Sequence, residues 1–231
     1  MRTIGLIAGM SWESSVEYYR IINEEVARRL GGLHSARCVM VSLDFDRLAA
    51  QQRAGQWEAA ASDLVAAARQ LERAGAECVV ICANTMHKVA PAIEAAVNIP
   101  LLHIADAAAA RVKAAGLSRV ALLGTRYTME EGFLKDRLSE RHGLEVIIPS
   151  AADRELIHRV IYDELVLGVI NPASRAAYLR IIAGLLEGGA QGVILGCTEL
   201  GLLVKQEDCS APLFDTTLVH AEAAVNWALQ E

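Results

Sequence analysis

The sequence predicts an α/β protein made of two pseudosymmetric halves, each a four-stranded parallel sheet covered by helices, with an active site in the cleft between the halves. Three observations predict this. Short apolar runs alternate with longer, alanine-rich amphipathic stretches, the rhythm of βαβ units. The 53% hydrophobic content includes only 5% aromatic residues, so the apolar material is aliphatic and alanine, as suits helices packed on strands buried on both faces. The third observation is an internal repeat. Arg73 to Thr85 (RAGAECVVICANT) aligns without a gap on Glu187 to Glu199 (EGGAQGVILGCTE), at an offset of 114 residues.

Taken in order, the predicted strands are Thr3 to Ala8, Arg37 to Leu43, Cys78 to Cys82, Pro100 to Ile104, Val120 to Gly124, Leu144 to Ile148, Val193 to Gly196 and Pro212 to Phe214. Predicted helices cover Ser14 to Leu30, Trp57 to Ala74, Ala105 to Ala115, Arg175 to Glu187 and His220 to Leu229, several of them closed by glycine. The doubling extends beyond one strand. Ile4 to Gly9 (IGLIAG) resembles Val120 to Thr125 (VALLGT), and Pro100-Leu101-Leu102 resembles Pro212-Leu213-Phe214. Residues 1–105 are therefore expected to form the first half and residues 106–216 the second.

A chain of 231 residues and 24.9 kDa can bury a substantial core, which excludes disorder and disulfide miniatures. Twenty-two Lys and Arg against 28 Asp and Glu leave a net charge of −6 without a basic stripe, so nucleic acid is not an expected partner. The run Ile4 to Met10 meets Ser11, Trp12 and Glu13 at once, which fits neither a signal peptide nor a membrane span, so a cytoplasmic protein with no membrane partner is expected. Five cysteines, 38, 78, 82, 197 and 209, then read as free thiols.

Ligands of such sheets bind at the carboxyl ends of strands, where backbone amides and helix starts converge. The loops to inspect are Gly9-Met10-Ser11, Ala83-Asn84-Thr85, Thr125 to Thr128 and Cys197-Thr198-Glu199. They contain no dinucleotide glycine pattern, no P-loop and no nucleophile elbow. Cys78, Cys82 and His87 lack zinc spacing, so no metal is expected. What remains is Cys197 at a strand tip, where facing amides would lower its pKa and make it a base or nucleophile; the competing reading is an ordinary buried cysteine.

The segments Ile4 to Ser15 (IGLIAGMSWESS), Asn84 to Lys88 (NTMHK), Gly124 to Thr128 (GTRYT), Gly196 to Glu199 (GCTE) and Phe214 to Thr217 (FDTT) resemble the aspartate/glutamate racemase superfamily, in its aspartate racemase and broad-specificity amino-acid racemase branch. The resemblance implies a homodimer, a last helix (217–231) packed back on the first half, and racemisation without pyridoxal phosphate or metal. In the two-cysteine members one thiol removes the α-proton and a second delivers a proton to the opposite face. The first of these normally precedes the Asn-Thr pair, where this chain carries Ala83. The repeat agrees, setting Cys197 opposite Ala83 and Cys82 opposite Gly196. Strand alternation then turns Cys82 away from the site unless the strand end is irregular.

With one thiol in place, three readings compete: a one-thiol racemase, a single-cysteine decarboxylase or isomerase of the same superfamily, and a catalytically impaired ligand-binding homologue. Asn84, Thr85, Thr125, Thr128 and Thr198 are the expected substrate-binding donors, beside the loop amides. The resemblance adds Gln52 as a substrate contact and Met10 as a floor, against ordinary packing for Met10. Glu199 is a candidate for the substrate ammonium, or a carboxylate serving a helix start. Asn84 and Thr85 could equally form only a turn and cap. Arg47 and Arg126 could clamp a carboxylate bidentately, or lie on the surface, Arg47 with Asp46 as its ready partner. His87 and His103 read as capping or core histidines.

Overall fold

The computed structural model describes residues 1–230. Its elements run β1 (Ile4–Ala8), α1 (Trp12–Leu30), β2 (Cys38–Ser42), α2 (Phe45–Arg53), α3 (Trp57–Arg73), β3 (Cys78–Ile81), a 3-10 turn (Thr85–Val89), α4 (Ala90–Glu94), β4 (Leu101–Leu102) and α5 (Ile104–Ala114). The chain continues through β5 (Arg119–Gly124), α6 (Arg126–Glu130), α7 (Gly132–Asp136), β6 (Glu145–Ile147), α8 (Ala151–Asp163), α9 (Pro172–Glu187), β7 (Val193–Gly196), α10 (Leu200–Leu203), β8 (Leu213–Asp215) and α11 (Thr216–Leu229). Two compact units result, Met1–His103 with the stretch from His220 onward, and Ile104–Val219. Each contains one four-stranded parallel sheet, ordered β2-β1-β3-β4 in the first and β6-β5-β7-β8 in the second.

In the first unit every residue of β1 and β3 is buried, because helices cover both faces of the sheet. Val79 and Ile81 face one cluster with Leu64, Ala68 and Leu71 of α3. Cys78 and Val80 face another, with Tyr18, Ile22 and Val26 of α1 and Ala221, Ala224 and Val225 of α11. These helices take their places from spacing. α1 buries Tyr18, Ile22 and Val26, and α3 buries Ala60, Leu64, Ala67, Ala68 and Leu71, each set on one stripe of a 3.6-residue period. The second unit repeats the plan: Val193 and Leu195 face α8 and α9, whereas Ile194 faces α5.

All eight predicted strands are present, β7 with the predicted bounds and the others with ends moved by at most two residues. Four of the five predicted helices start earlier than expected, whereas α3 begins at Trp57 as predicted. α1 begins at Trp12 because Ser11 caps it, its hydroxyl accepting from the Ser14 amide, and α11 begins at Thr216. Six further helices, α2, α4, α6, α7, α8 and α10, occupy stretches the sequence reading left unassigned. Five of these have nine residues or fewer, too short for a hydrophobic period to show. α8 is longer, but it is rich in polar residues and buries only Ile157, Val160 and Ile161.

The pairing register also measures the repeat. Ile7 pairs with Ile81 and Leu123 with Leu195, so the first strands are related by 116 residues and the third strands by 114. The capping hydroxyls, Ser11 on Ser14 and Thr125 on Thr128, are again 114 apart. The turn after β1 is therefore two residues longer than the turn after β5.

That longer turn depends on Gly9. Its φ is +85°, and an added Cβ would lie 2.2 Å from the Leu43 carbonyl oxygen and 2.6 Å from its nitrogen. Gly55, at φ +68°, has open space around it. Gly9→Ala should therefore cost about 3 kcal/mol, strain plus overpacking, whereas Gly55→Ala costs about 1 kcal/mol from strain alone. Urea unfolding of both variants checks this; equal losses would show that the turn accommodates the methyl.

Candidate active site

The first sheet presents two turns at its carboxyl edge. After β1, the Gly9 amide donates to Ser15 Oγ at 2.8 Å, and Ser15 in turn donates to the Ser11 carbonyl at 2.7 Å. Ser11 and Ser14 hydroxyls lie 3.4 Å apart. The turn after β3 holds Ala83, Asn84 and Thr85, all buried. Ala83 packs in the cluster of Met10, Ile7, Ile81 and Met86. Gln52, from α2, is buried and donates from Nε2 to Met86 Sδ at 3.0 Å, which brings it to the same cluster. Asn84 occupies the cap position of the 3-10 turn, yet its side chain makes no capping bond there. The capping alternative therefore does not explain that residue.

Alternation continues through the end of β3. Val79, Ile81 and Ala83 share one cluster, and Cys78, Val80 and Cys82 the other. Cys82 is fully buried among α1 and α11 side chains, on the face opposite Ala83, and burial drives its thiol far above the ordinary range.

The second sheet carries the matching edge. Gly124 and Gly196 pair across β5 and β7, and a Cβ on Gly124 would fall 2.6 Å from the Gly196 carbonyl oxygen. A Cβ on either glycine would also lie about 3 Å from the Thr128 methyl group, with 3.0 Å at Gly124 and 3.1 Å at Gly196. Only glycine lets Thr128 close over the strand ends. Thr125 caps α6, accepting from the Thr128 amide, and the two hydroxyls lie 3.2 Å apart.

Cys197 follows Gly196 and shares a cluster with Val193, Leu195, Met129 and Tyr178, as Ala83 does with its own strand. It is only 7% exposed. Its Sγ donates to Glu199 Oε2 at 3.0 Å, and Thr198 Oγ1 donates to the same oxygen at 2.8 Å. Here the structure corrects an expectation. The strand-tip amides were expected to lower the thiol pKa; instead it is raised well above its ordinary value, first by burial and then by the charge and hydrogen bond of Glu199. The amides of Thr198 and Glu199 do pull it down, but less strongly. The resting pair is therefore a thiol beside a carboxylate. It can donate a proton as it stands, and can act as a base only by passing its proton to Glu199. Nor does Glu199 serve the start of α10, since no side-chain cap bond forms there.

The two arginines lie on the surface. Arg47 pairs with Asp63 at 2.8 Å and is 67% exposed. Asp46 is not its partner, because neighbours along a helix point about 100° apart. The Arg126 guanidinium is 3.8 Å from Glu155, while its backbone amide donates to His158 Nδ1 at 3.2 Å. Among the described residues no group of three or more His, Cys, Asp or Glu is arranged to hold a metal ion.

The sequence reading passed over two features of these edges. One is the hydroxyl web of Ser11, Ser14 and Ser15, whose spacing repeats that of Thr125 and Thr128. The other is the Cys197–Glu199 pair, visible in the sequence only as two residues sharing a turn.

A family model described as Asp/Glu/Hydantoin racemase matches residues 7–224. A solved structure of a proposed Asp/Glu racemase from Yersinia pestis is 55% identical over 100% of both chains, with a TM-score of 0.93. An aspartate racemase homologue from Pyrococcus horikoshii is 35% identical over 100% of both chains, with a TM-score of 0.84. The Picrophilus torridus aspartate racemase, 19% identical over 99% of this chain and 94% of its own, shares the fold at a TM-score of 0.77. With the match running through both sheets and all four strand-end loops, the protein belongs to the Asp/Glu/hydantoin racemase family.

Proposed function

We propose that this protein is an amino-acid racemase of the aspartate/glutamate class that works with a single thiol and without pyridoxal phosphate or metal. The observation that carries the reading is the Cys197 thiol donating to the buried Glu199 carboxylate at the carboxyl edge of β7. For one enantiomer, the Cys197 proton passes to Glu199 and the thiolate removes the α-hydrogen, leaving a planar carbanion with its electron pair on Cα. A proton from water on the other face completes inversion, and Glu199 returns its proton to the hydroxide left behind, restoring the thiol beside a carboxylate. For the opposite enantiomer, water on the other face takes the α-hydrogen, the resting S–H delivers its proton to the carbanion, and the thiolate regains a proton from the hydronium so formed. Hydroxyl and amide donors at the strand ends stabilise the developing negative charge.

Cys197→Ala is expected to lower α-proton exchange in deuterium oxide by roughly 10²- to 10⁴-fold, with stability changed by less than about 1 kcal/mol. Wild-type exchange in that variant removes the mechanism. Glu199→Gln deletes a charge that raises the thiol pKa. Alkylation of Cys197, followed by peptide mass spectrometry, should therefore begin at lower pH in this variant, while exchange slows. An unshifted alkylation profile would show that burial alone holds the thiol protonated.

The equivalent position of the first sheet carries Ala83, which cannot take or give a proton. Deuterium should enter one enantiomer roughly 10²-fold or more faster than the other, within an overall equilibrium constant of one. Ala83→Cys should raise racemisation in both directions, and Cys82→Ser should change it little. The reverse pattern would make Cys82 the second thiol. Malonates in the same assay address the decarboxylase reading, which the protonated resting thiol also suits: release of carbon dioxide without amino-acid exchange would replace the racemase.

A homodimer is proposed as the working form. It is supported by an exposed apolar stripe on α1, Trp12, Val16 and Tyr19, which with Met40 of β2 lines a groove of about 410 Å³. Sedimentation equilibrium should give a dimer for the wild type and a monomer for Val16→Glu with Tyr19→Lys. A dimer in both would move the interface elsewhere.

A further inference from the structure

The turn that carries Ala83, Asn84 and Thr85 is anchored by histidines for which the proposed chemistry has no use. His87, two residues beyond Thr85, places Nδ1 at 2.8 Å from the Ala83 carbonyl oxygen. A carbonyl only accepts, so that nitrogen carries the proton. The His103 ring centre is 4.5 Å from the His87 ring and that of His220 5.7 Å. His220 is locked too. Its Nε2 donates to the Leu102 carbonyl at 2.7 Å, and its Nδ1 lies in hydrogen-bond contact with the Tyr18 hydroxyl at 2.9 Å. All three imidazoles and Tyr18 are buried.

The cluster draws on the whole first unit: Tyr18 comes from α1, His220 from α11, Leu102 and His103 from the end of β4, and His87 from the turn itself. Three buried imidazoles cost desolvation that three aliphatic side chains would not. Metal binding does not account for them, because both ring nitrogens of His220 and Nδ1 of His87 already serve protein groups.

We propose that His87 is a positioning residue whose ring, braced by His103 and the His220–Tyr18 pair, holds the Ala83 carbonyl and so orders the Ala83–Asn84–Thr85 turn. The inference rests on the function proposed above, in which that turn faces substrate. Burial, and then the charges that His103 and His220 would carry, hold His87 well below the ordinary imidazole value. Lys88, its chain neighbour, lies over the Trp57 ring at 3.8 Å. The sign follows from the depressed folded value. The stability linked to His87 is complete above the unfolded imidazole pKa of about 6.5 and falls as pH drops below it, up to about tenfold in the folding constant per pH unit.

The test compares His87→Leu, which removes the donor, with His87→Asn, whose amide nitrogen occupies the place of Nδ1 but does not titrate in this range. In His87→Leu, backbone amides of residues 84–86 should exchange with solvent about tenfold faster at pH 7, and kcat for α-proton exchange should fall about tenfold with KM changed less. His87→Asn should keep both within about threefold of wild type, while the acid slope of its folding constant below pH 6.5 shrinks by one proton. Wild-type protection and kcat in His87→Leu, loss in His87→Asn as large as in His87→Leu, or an acid slope unchanged in His87→Asn would each overturn the proposal. If His87→Leu does not fold, the rescue and slope of His87→Asn decide. If no amino acid exchanges its α-proton even in the wild type, the racemase reading fails, whereas amide protection and acid slope still judge the anchor.

Discussion

Everything at the candidate site depends on one constraint: β3 and β7 are buried on both faces, so successive side chains must enter two different helix layers. No residue near the strand end can be shifted by one position without exchanging its surroundings completely. In β3 this sends Ala83 to the layer of Met10 and Met86 and Cys82 to the layer of α1 and α11. In β7 it sends Cys197 to the layer of Met129 and Tyr178. Position 83 and position 197 are equivalent because the same alternation governs both strands.

The same burial sets the electrostatics. A thiol at an exposed strand tip would feel mainly the nearby amides and ionise more easily. At Cys197 the loss of water outweighs those amides, and the carboxylate of Glu199 adds to the cost of a second negative charge. The outcome is a thiol that keeps its proton and donates a hydrogen bond to a carboxylate two residues away. The glycines beside it contribute by absence: Gly124 and Gly196 bring two strand ends and Thr128 together more closely than any side chain would allow.

Much of this was legible in the chain. The eight strands stand out as apolar runs, and the repeat of RAGAECVVICANT as EGGAQGVILGCTE pairs Ala83 with Cys197 through the sequence alone. The short helices were not legible. α6 and α7, with five residues each, hold their places through tertiary packing of Met129 and Leu134 rather than through a period of their own. Arg47 illustrates a different gap. Its neighbour in sequence was Asp46, but its partner is Asp63, sixteen residues on, because α2 and α3 pack side by side.

By itself the sequence determined the α/β class, the places of the eight strands along the chain, the duplication, and that Ala83 stands opposite Cys197 in the repeat, since all of these are carried by local hydrophobic period and by residue identity. Only the tertiary structure decided the state of the thiol that remains and the histidine anchor under Ala83. Burial at Cys197 is produced by α8, α9 and α10 closing over β7, and the contact of His87 with His220 joins residues 133 positions apart. Proton affinity and tautomer depend on what surrounds a group in space, and no spacing along the chain records that.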